Sequence, residues 1–126
     1  MANDEIAVKN PLVLAFVGDA VWTLYVREAL GKHSFDKVGK LHLSANKYVC
    51  ASAQAAMFEK IAPFLSEIEI AIAGRARNAN GHASPKSCKL AEYKMATAFE
   101  AVVGYNHLIG NKKRLENLFN LLGDIK

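Results

Sequence analysis

From Leu12 to Leu30 the chain is apolar on nearly every helical face, through Leu14, Phe16, Val17, Val21, Trp22, Leu24, Tyr25 and Val26. A surface helix of an ordinary globular protein carries one apolar stripe, so a helix here has to be buried on more than one side. The chain has 126 residues, which suits one domain spanning 1–126 and is too short for two ordinary ones. In so small a domain the second buried side points to a partner chain. Asn10-Pro11 supplies a capping side chain followed by proline at the first helical position, and Gly31 is a natural stop.

The remaining segments also follow a helical period. A second helix is predicted from about Lys40 to Lys60, with Leu41, Ala45, Tyr48, Ser52, Ala55 and Phe58 in register, ended by Pro63. Ser66-Glu67-Ile68-Glu69 is a capping-box sequence and opens a third helix to about Gly74. Residues 74–87, GRARNANGHASPKS, lack apolar periodicity and read as a loop. A long helix follows from about Lys89 to Ile109, stopped by Gly110. A last amphipathic one runs from Lys112 to Leu122, with Leu115, Leu118, Phe119 and Leu122 facing inward. The expected fold class is all-α. No internal repeat or linker is visible.

Hydrophobic residues make up 52% of the chain, enough for a sizeable core, which argues against global disorder. The net charge of +4 gives only a weak preference for an anionic partner. Cys50 and Cys88 form no CxxC pair, so a structural zinc site has little support and two reduced thiols are the expectation. The N-terminal stretch lacks the basic cluster and apolar run of a secretory signal, and no segment reaches the length of a membrane span. A cytoplasmic protein without membrane association is expected.

Two carboxylates stand out. Asp19 lies between Gly18 and Ala20 in the most apolar helix, and Glu100 sits in Ala98-Phe99-Glu100-Ala101-Val102-Val103-Gly104. An ionised carboxylate among apolar neighbours is costly unless it meets a partner or a metal. Two of them on two core helices could converge on one hard cation such as Mg²⁺. Equally, each could be structural, bonded to a basic residue or a helix end. Arg75, Arg77, Asn78, Lys86, Lys89 and Lys94 form a basic loop and flank, suited to phosphate contacts or merely solvated. The histidines at 33, 42, 82 and 107 form no metal-binding or triad pattern, and His42 reads as a packed histidine.

Phe16-Val17-Gly18-Asp19-Ala20-Val21 resembles the signature of the ribonuclease III family, Glu-Phe-Leu-Gly-Asp-Ala-Val. Thr97-Ala98-Phe99-Glu100-Ala101-Val102-Val103-Gly104 resembles that family's second acidic helix. The likeness tightens for its Mini subfamily, a catalytic domain without the double-stranded-RNA-binding domain. Leu41-His42, Ala45, Val49, Ala51 and Gln54-Ala55 resemble that subfamily's second helix. Arg75, Arg77-Asn78-Ala79, Pro85-Lys86, Tyr93-Lys94 and Thr97 resemble its loop and the helix behind it. The chain departs from the larger family where further acids are expected four and seven residues before Asp19, at Ala15 and Leu12, and three before Glu100, at Thr97.

The resemblance implies an all-helical ribonuclease III endonuclease domain acting as a symmetric homodimer, with the signature helix at the interface. It implies a Mg²⁺-dependent endoribonuclease, with Mn²⁺ as a substitute, cutting double-stranded RNA to leave a 5′-phosphate and a 3′-hydroxyl. Asp19 and Glu100 are the implied metal ligands and catalytic pair, and Arg75, Arg77, Asn78, Lys86 and Lys94 the implied RNA contacts. The subfamily implies precursor 23S ribosomal RNA as substrate, with a large-subunit ribosomal protein as a further partner. The missing acids leave a catalytically inactive RNA-binding or scaffold protein on the same fold as the alternative, and a helical protein–protein adaptor as a third class.

Overall fold

The computed structural model describes residues 2–79 and 89–125, and among these all regular structure is helical. The helices are α1 (Asn3–Ala7), α2 (Pro11–His33), α3 (Val38–Val49), α4 (Ala51–Ile61), α5 (Glu67–Ala79), α6 (Leu90–Leu108) and α7 (Lys112–Asn120), with a 3-10 turn at Ala62–Phe64. The all-α expectation holds. Helix α6 is the axis of the molecule: it packs against α2, α4, α5, α7 and α1. Accordingly it is buried almost continuously from Ala96 to Asn106, with Glu100 the one half-buried position.

Trp22 of α2 centres the core. Its indole lies edge-on to Phe99 and Phe119, with ring centroids 5.2 Å apart in each case, and stacks on Tyr25 at 5.5 Å. Such pairs add modestly to the large area the rings bury. The Asn10 side chain caps α2 by accepting from the Leu12 amide at 2.9 Å, as Asn10-Pro11 predicts. Gly31 does not end the helix, which runs on to His33 and stops where Ser34 turns extended. Gly110 does stop α6: its φ of +75° is the left-handed conformation glycine adopts without penalty, and the Asn111 amide reaches back to the Asn106 carbonyl.

Two expectations need correction. The segment read as one helix from Lys40 to Lys60 is two, broken at an extended Cys50 (ψ 160°). The break is held from outside: the Trp22 indole N–H donates to the Tyr48 carbonyl at 2.8 Å, and the Gln54 side chain donates to the Val49 carbonyl at 3.1 Å. Carbonyls that would otherwise serve an uninterrupted helix therefore have other donors. Second, residues 74–79, expected to be loop, form the last turns of α5. Ile72, Ala73 and Ala76 continue the buried face begun by Glu69, at helical spacing. Lys86 and the other residues from 80 to 88 lie outside the described residues.

The capping box of α5 is present in full: the Ser66 amide donates to Glu69 Oε1 at 2.8 Å, and the Glu69 amide to Ser66 Oγ at 3.2 Å. Glu69 does more than cap. It is buried and receives Arg114 of α7 through two nitrogens (2.6 and 3.0 Å) and Asn106 of α6 at 2.8 Å, while Arg114 also donates to the Phe64 carbonyl. Burial alone would raise the Glu69 pKa, but the Arg114, Ser66 and Asn106 hydrogen bonds outweigh it and hold it at about 2. The stabilisation is thus fully present above ordinary carboxylate pKa values and lost only as pH falls toward 2. Glu69→Ala should cost about 3–5 kcal/mol in urea unfolding at pH 7, because it strands a partly buried guanidinium. A loss below ~1 kcal/mol would show that α5, α6 and α7 do not depend on this junction.

Candidate active site

Helices α2 and α6 cross with their backbones in contact. A methyl group built at Gly18 would lie 1.7 Å from the Glu100 carbonyl oxygen, and one at Gly104 would lie 1.9 Å from the Leu14 carbonyl oxygen. Only two glycines, each facing a carbonyl of the other helix, permit this approach. The crossing fixes the site, because Asp19 directly follows Gly18 and Glu100 is the residue whose carbonyl Gly18 meets. The two carboxylates expected from sequence to converge do so.

Their environments differ. Asp19 is exposed in the single chain, which corrects the expectation that it lies buried among apolar groups, whereas Glu100 is half-buried. Burial raises the Glu100 pKa, and hydrogen bonding and charge repulsion from Asp19 raise it further, to about 8; a hydrogen bond with Gln54 opposes them. Among the described residues neither carboxylate forms an ion pair with lysine or arginine. No basic partner of the kind a structural pair would need is therefore found among the described residues.

The carboxylates open onto a cleft lined also by Leu12, Ala15, Phe16, Tyr93 and Thr97. Leu12, Ala15 and Thr97 are the positions where the larger ribonuclease III pattern has additional acids. They line the same cleft, so the resemblance has the correct register, but they bring no charge. The Thr97 hydroxyl donates to the Tyr93 carbonyl at 3.0 Å, one turn back on its own helix.

Gln54 was not singled out as a site residue from sequence. Its signal was slight: one polar residue between alanines on an inward helix face. Its side chain is 2% exposed, and its Oε1 is buried with no hydrogen-bond partner among the described residues.

The expected RNA contacts are more dispersed. Arg77 and Asn78 are exposed on the final turn of α5, and Lys94 is half-buried on the first turns of α6. Arg75 is exposed, yet its guanidinium donates to the Ala7 and Lys9 carbonyls (the latter at 3.4 Å), clasping the N-terminal segment to α5. Lys86 lies outside the described residues.

The sequence model of the ribonuclease III domain matches residues 12–111, which include both carboxylates. The chain belongs to the ribonuclease III family. As an endoribonuclease of that type, it is 44% identical over 114 residues to Mini-ribonuclease 3 of Symbiobacterium thermophilum, covering 90% of this chain and 88% of the relative. It is 43% identical over 127 residues to Mini-ribonuclease 3 of a Thermoanaerobacter species, covering 96% and 89%. A crystal structure of a Fusobacterium nucleatum protein superposes with a TM-score of 0.85 at 31% identity, covering 93% of this chain and 97% of the other. The ribonuclease III fold and the Mini-type relationship read from sequence are thus shown. Among the described residues no helix is long and apolar enough to cross a membrane.

Proposed function

We propose that this ribonuclease III-type endoribonuclease cuts double-stranded RNA with a divalent cation, Mg²⁺ or in substitution Mn²⁺, held by Asp19 and Glu100. The observation that carries the reading is the facing of two carboxylates, without basic partners among the described residues, across the Gly18–Gly104 crossing and lining an open cleft. Oxygen donors suit a hard cation. Among the described residues no cluster of three or more His, Cys, Asp and Glu is present, so the remaining ligands would be water and RNA phosphate. The buried Gln54 Oε1, without a partner among the described residues, fits a site that receives such a water. When bound, the cation would supply an activated water and neutralise charge on the phosphate.

The chain's own part is to hold the two carboxylates rigidly and to give up the Glu100 proton. Below pH of about 8 Glu100 carries that proton, so loading the site releases it. Arg77, Asn78 and Lys94, with Lys86 and Arg75, are assigned to the RNA backbone, which in A-form duplexes is read mainly by shape and phosphate. Precursor 23S ribosomal RNA is the proposed biological substrate, with a large-subunit ribosomal protein as a further partner.

The working form is proposed to be a symmetric homodimer joined through α2. Val13, Phe16, Val17, Ala20 and Leu24 form a stripe along the helix opposite the buried Leu14, Gly18, Trp22 and Val26. Phe16 is 80% and Leu24 58% exposed in the single chain. Isologous pairing of one such stripe with its copy would cover it. Phe16→Glu should therefore sediment as a monomer, and wild-type protein that is monomeric at tens of micromolar would refute the pairing.

The activity is tested with end-labelled RNA duplexes, single strands and DNA duplexes, each with Mg²⁺ or chelator. Cutting of the RNA duplex alone, only with Mg²⁺, leaving 5′-phosphate and 3′-hydroxyl ends, is expected. Equal cutting in chelator would overturn the cation's role. A precursor 23S stem cut no better than an unrelated stem would remove the substrate assignment.

A further inference from the structure

We propose that Gln54 is a positioning residue of the cation site, holding the Glu100 carboxylate through Nε2 and accepting, at Oε1, a hydrogen bond from a water bound to the cation. The proposal rests on the Asp19–Glu100 reading above and extends it to a residue of a third helix, α4.

A buried amide requires a partner at each of its polar ends. Gln54 is 2% exposed, and nearly every buried polar atom in a folded protein has a partner. Its Nε2 has one, the Val49 carbonyl at 3.1 Å. That bond also settles which end of the amide is oxygen, since the reverse orientation would set two acceptors against each other. Oε1 is left as a buried acceptor without a donor among the described residues. An apolar side chain would serve mere packing better, because it leaves no acceptor stranded.

What the acceptor lacks is a donor, and its neighbour is Glu100, whose pKa the Gln54 amide lowers against the effects of burial and Asp19. Once a cation loads and Glu100 gives up its proton, Glu100 and Asp19 offer only acceptors. A cation between them brings donors, because the waters it retains point their hydrogens outward. Groups that orient metal ligands in this way commonly change metal affinity 10–100-fold when removed. The Cys50 break is what aims Gln54 here. It starts α4 at Ala51 and leaves the Val49 carbonyl to anchor the amide from behind.

Gln54→Met keeps the side chain's length and removes both polar ends. Mn²⁺ binding to the RNA-free protein, followed by the paramagnetic resonance of free Mn²⁺, should weaken about 10-fold or more. The Mg²⁺ concentration for half-maximal duplex cleavage should rise in step, and saturating Mg²⁺ should restore much of the rate. Melting in chelator should stay within a few degrees of wild type. Gln54→Glu is the second variant: it should melt lower than wild type in chelator, from three crowded carboxyls, and gain more in melting temperature from Mn²⁺ than wild type does. Wild-type Mn²⁺ affinity in Gln54→Met, or no extra Mn²⁺ stabilisation of Gln54→Glu, overturns the proposal. If the wild type itself takes up no Mn²⁺, or Glu100→Gln binds it equally well, the Asp19–Glu100 reading fails first and Gln54 falls with it.

Discussion

Glu100→Gln should slow cleavage of duplex RNA by orders of magnitude while leaving the molecule folded. The substitution keeps shape and volume but removes the charge that would hold a cation. If Glu100 belonged to a structural ion pair, the same change would strand a basic partner and cost about 3–5 kcal/mol. No such partner exists among the described residues. The pH dependence gives a second signature. Glu100 is raised to about 8 in the folded chain, so between pH ~4.5 and 8 the native state holds a proton that the unfolded state has released. Metal-free stability from this group is fully present below that window and declines as pH rises through it. Glu100→Gln should remove this share of the decline and be the more stable protein at pH 8. Urea titrations at pH 5 and pH 8 read the effect directly, and an unchanged pH difference in the variant would contradict it.

Gly18→Ala should be among the most damaging single-methyl changes in the chain. The added carbon would sit 1.7 Å from the Glu100 carbonyl oxygen and 2.6 Å from its carbon. Both are backbone atoms of a buried helix, so no side chain can swing away and α2 must move off α6. Overpacking commonly costs 1–3 kcal/mol, and a backbone clash belongs at or beyond the top of that range, so about 3 kcal/mol or more is expected. For a domain of this size that lowers the melting temperature on the order of 10 °C. Cleavage should fall even at temperatures where the variant is folded, because the same movement parts Asp19 from Glu100. Gly31→Ala is the matched control: it lies in the same helix with nothing within 4 Å of the added carbon. Relieved of glycine's entropic cost, it should gain roughly 0.5–1 kcal/mol. Equal stability of the two variants would show that the helices are not in backbone contact at Gly18.

Features carried by adjacent residues were legible in the sequence. Asn10-Pro11 caps α2, Ser66 and Glu69 exchange hydrogen bonds, and Asp19 and Glu100 announced themselves as acids in apolar runs. Features made by residues distant in sequence were not. The break at Cys50 contains no proline or glycine and is held by Trp22 from α2 and by the Gln54 side chain. The last turns of α5 bury alanines 73 and 76 among polar residues, and alanine gives too weak an apolar signal to extend the helix by periodicity. Glu69 could be read as a cap, but its pairing with Arg114, 45 residues on, could not. Gly18 and Gly104 were visible as letters in two motifs. Their meaning, that each meets a carbonyl of the other helix, needs both helices in space.

The central claim is that Asp19 and Glu100 act as one unit on one cation, and a double-mutant cycle on cleavage tests it most directly. Single-turnover rates on one RNA duplex at saturating Mg²⁺ are measured for wild type, Asp19→Asn, Glu100→Gln and the double variant, each checked for an unchanged fold. Groups that serve one device are strongly non-additive, so either single change should remove nearly all activity and the double variant should be scarcely slower than the worse single one. Losses that multiply, or either single variant cutting near the wild-type rate, would contradict the shared site.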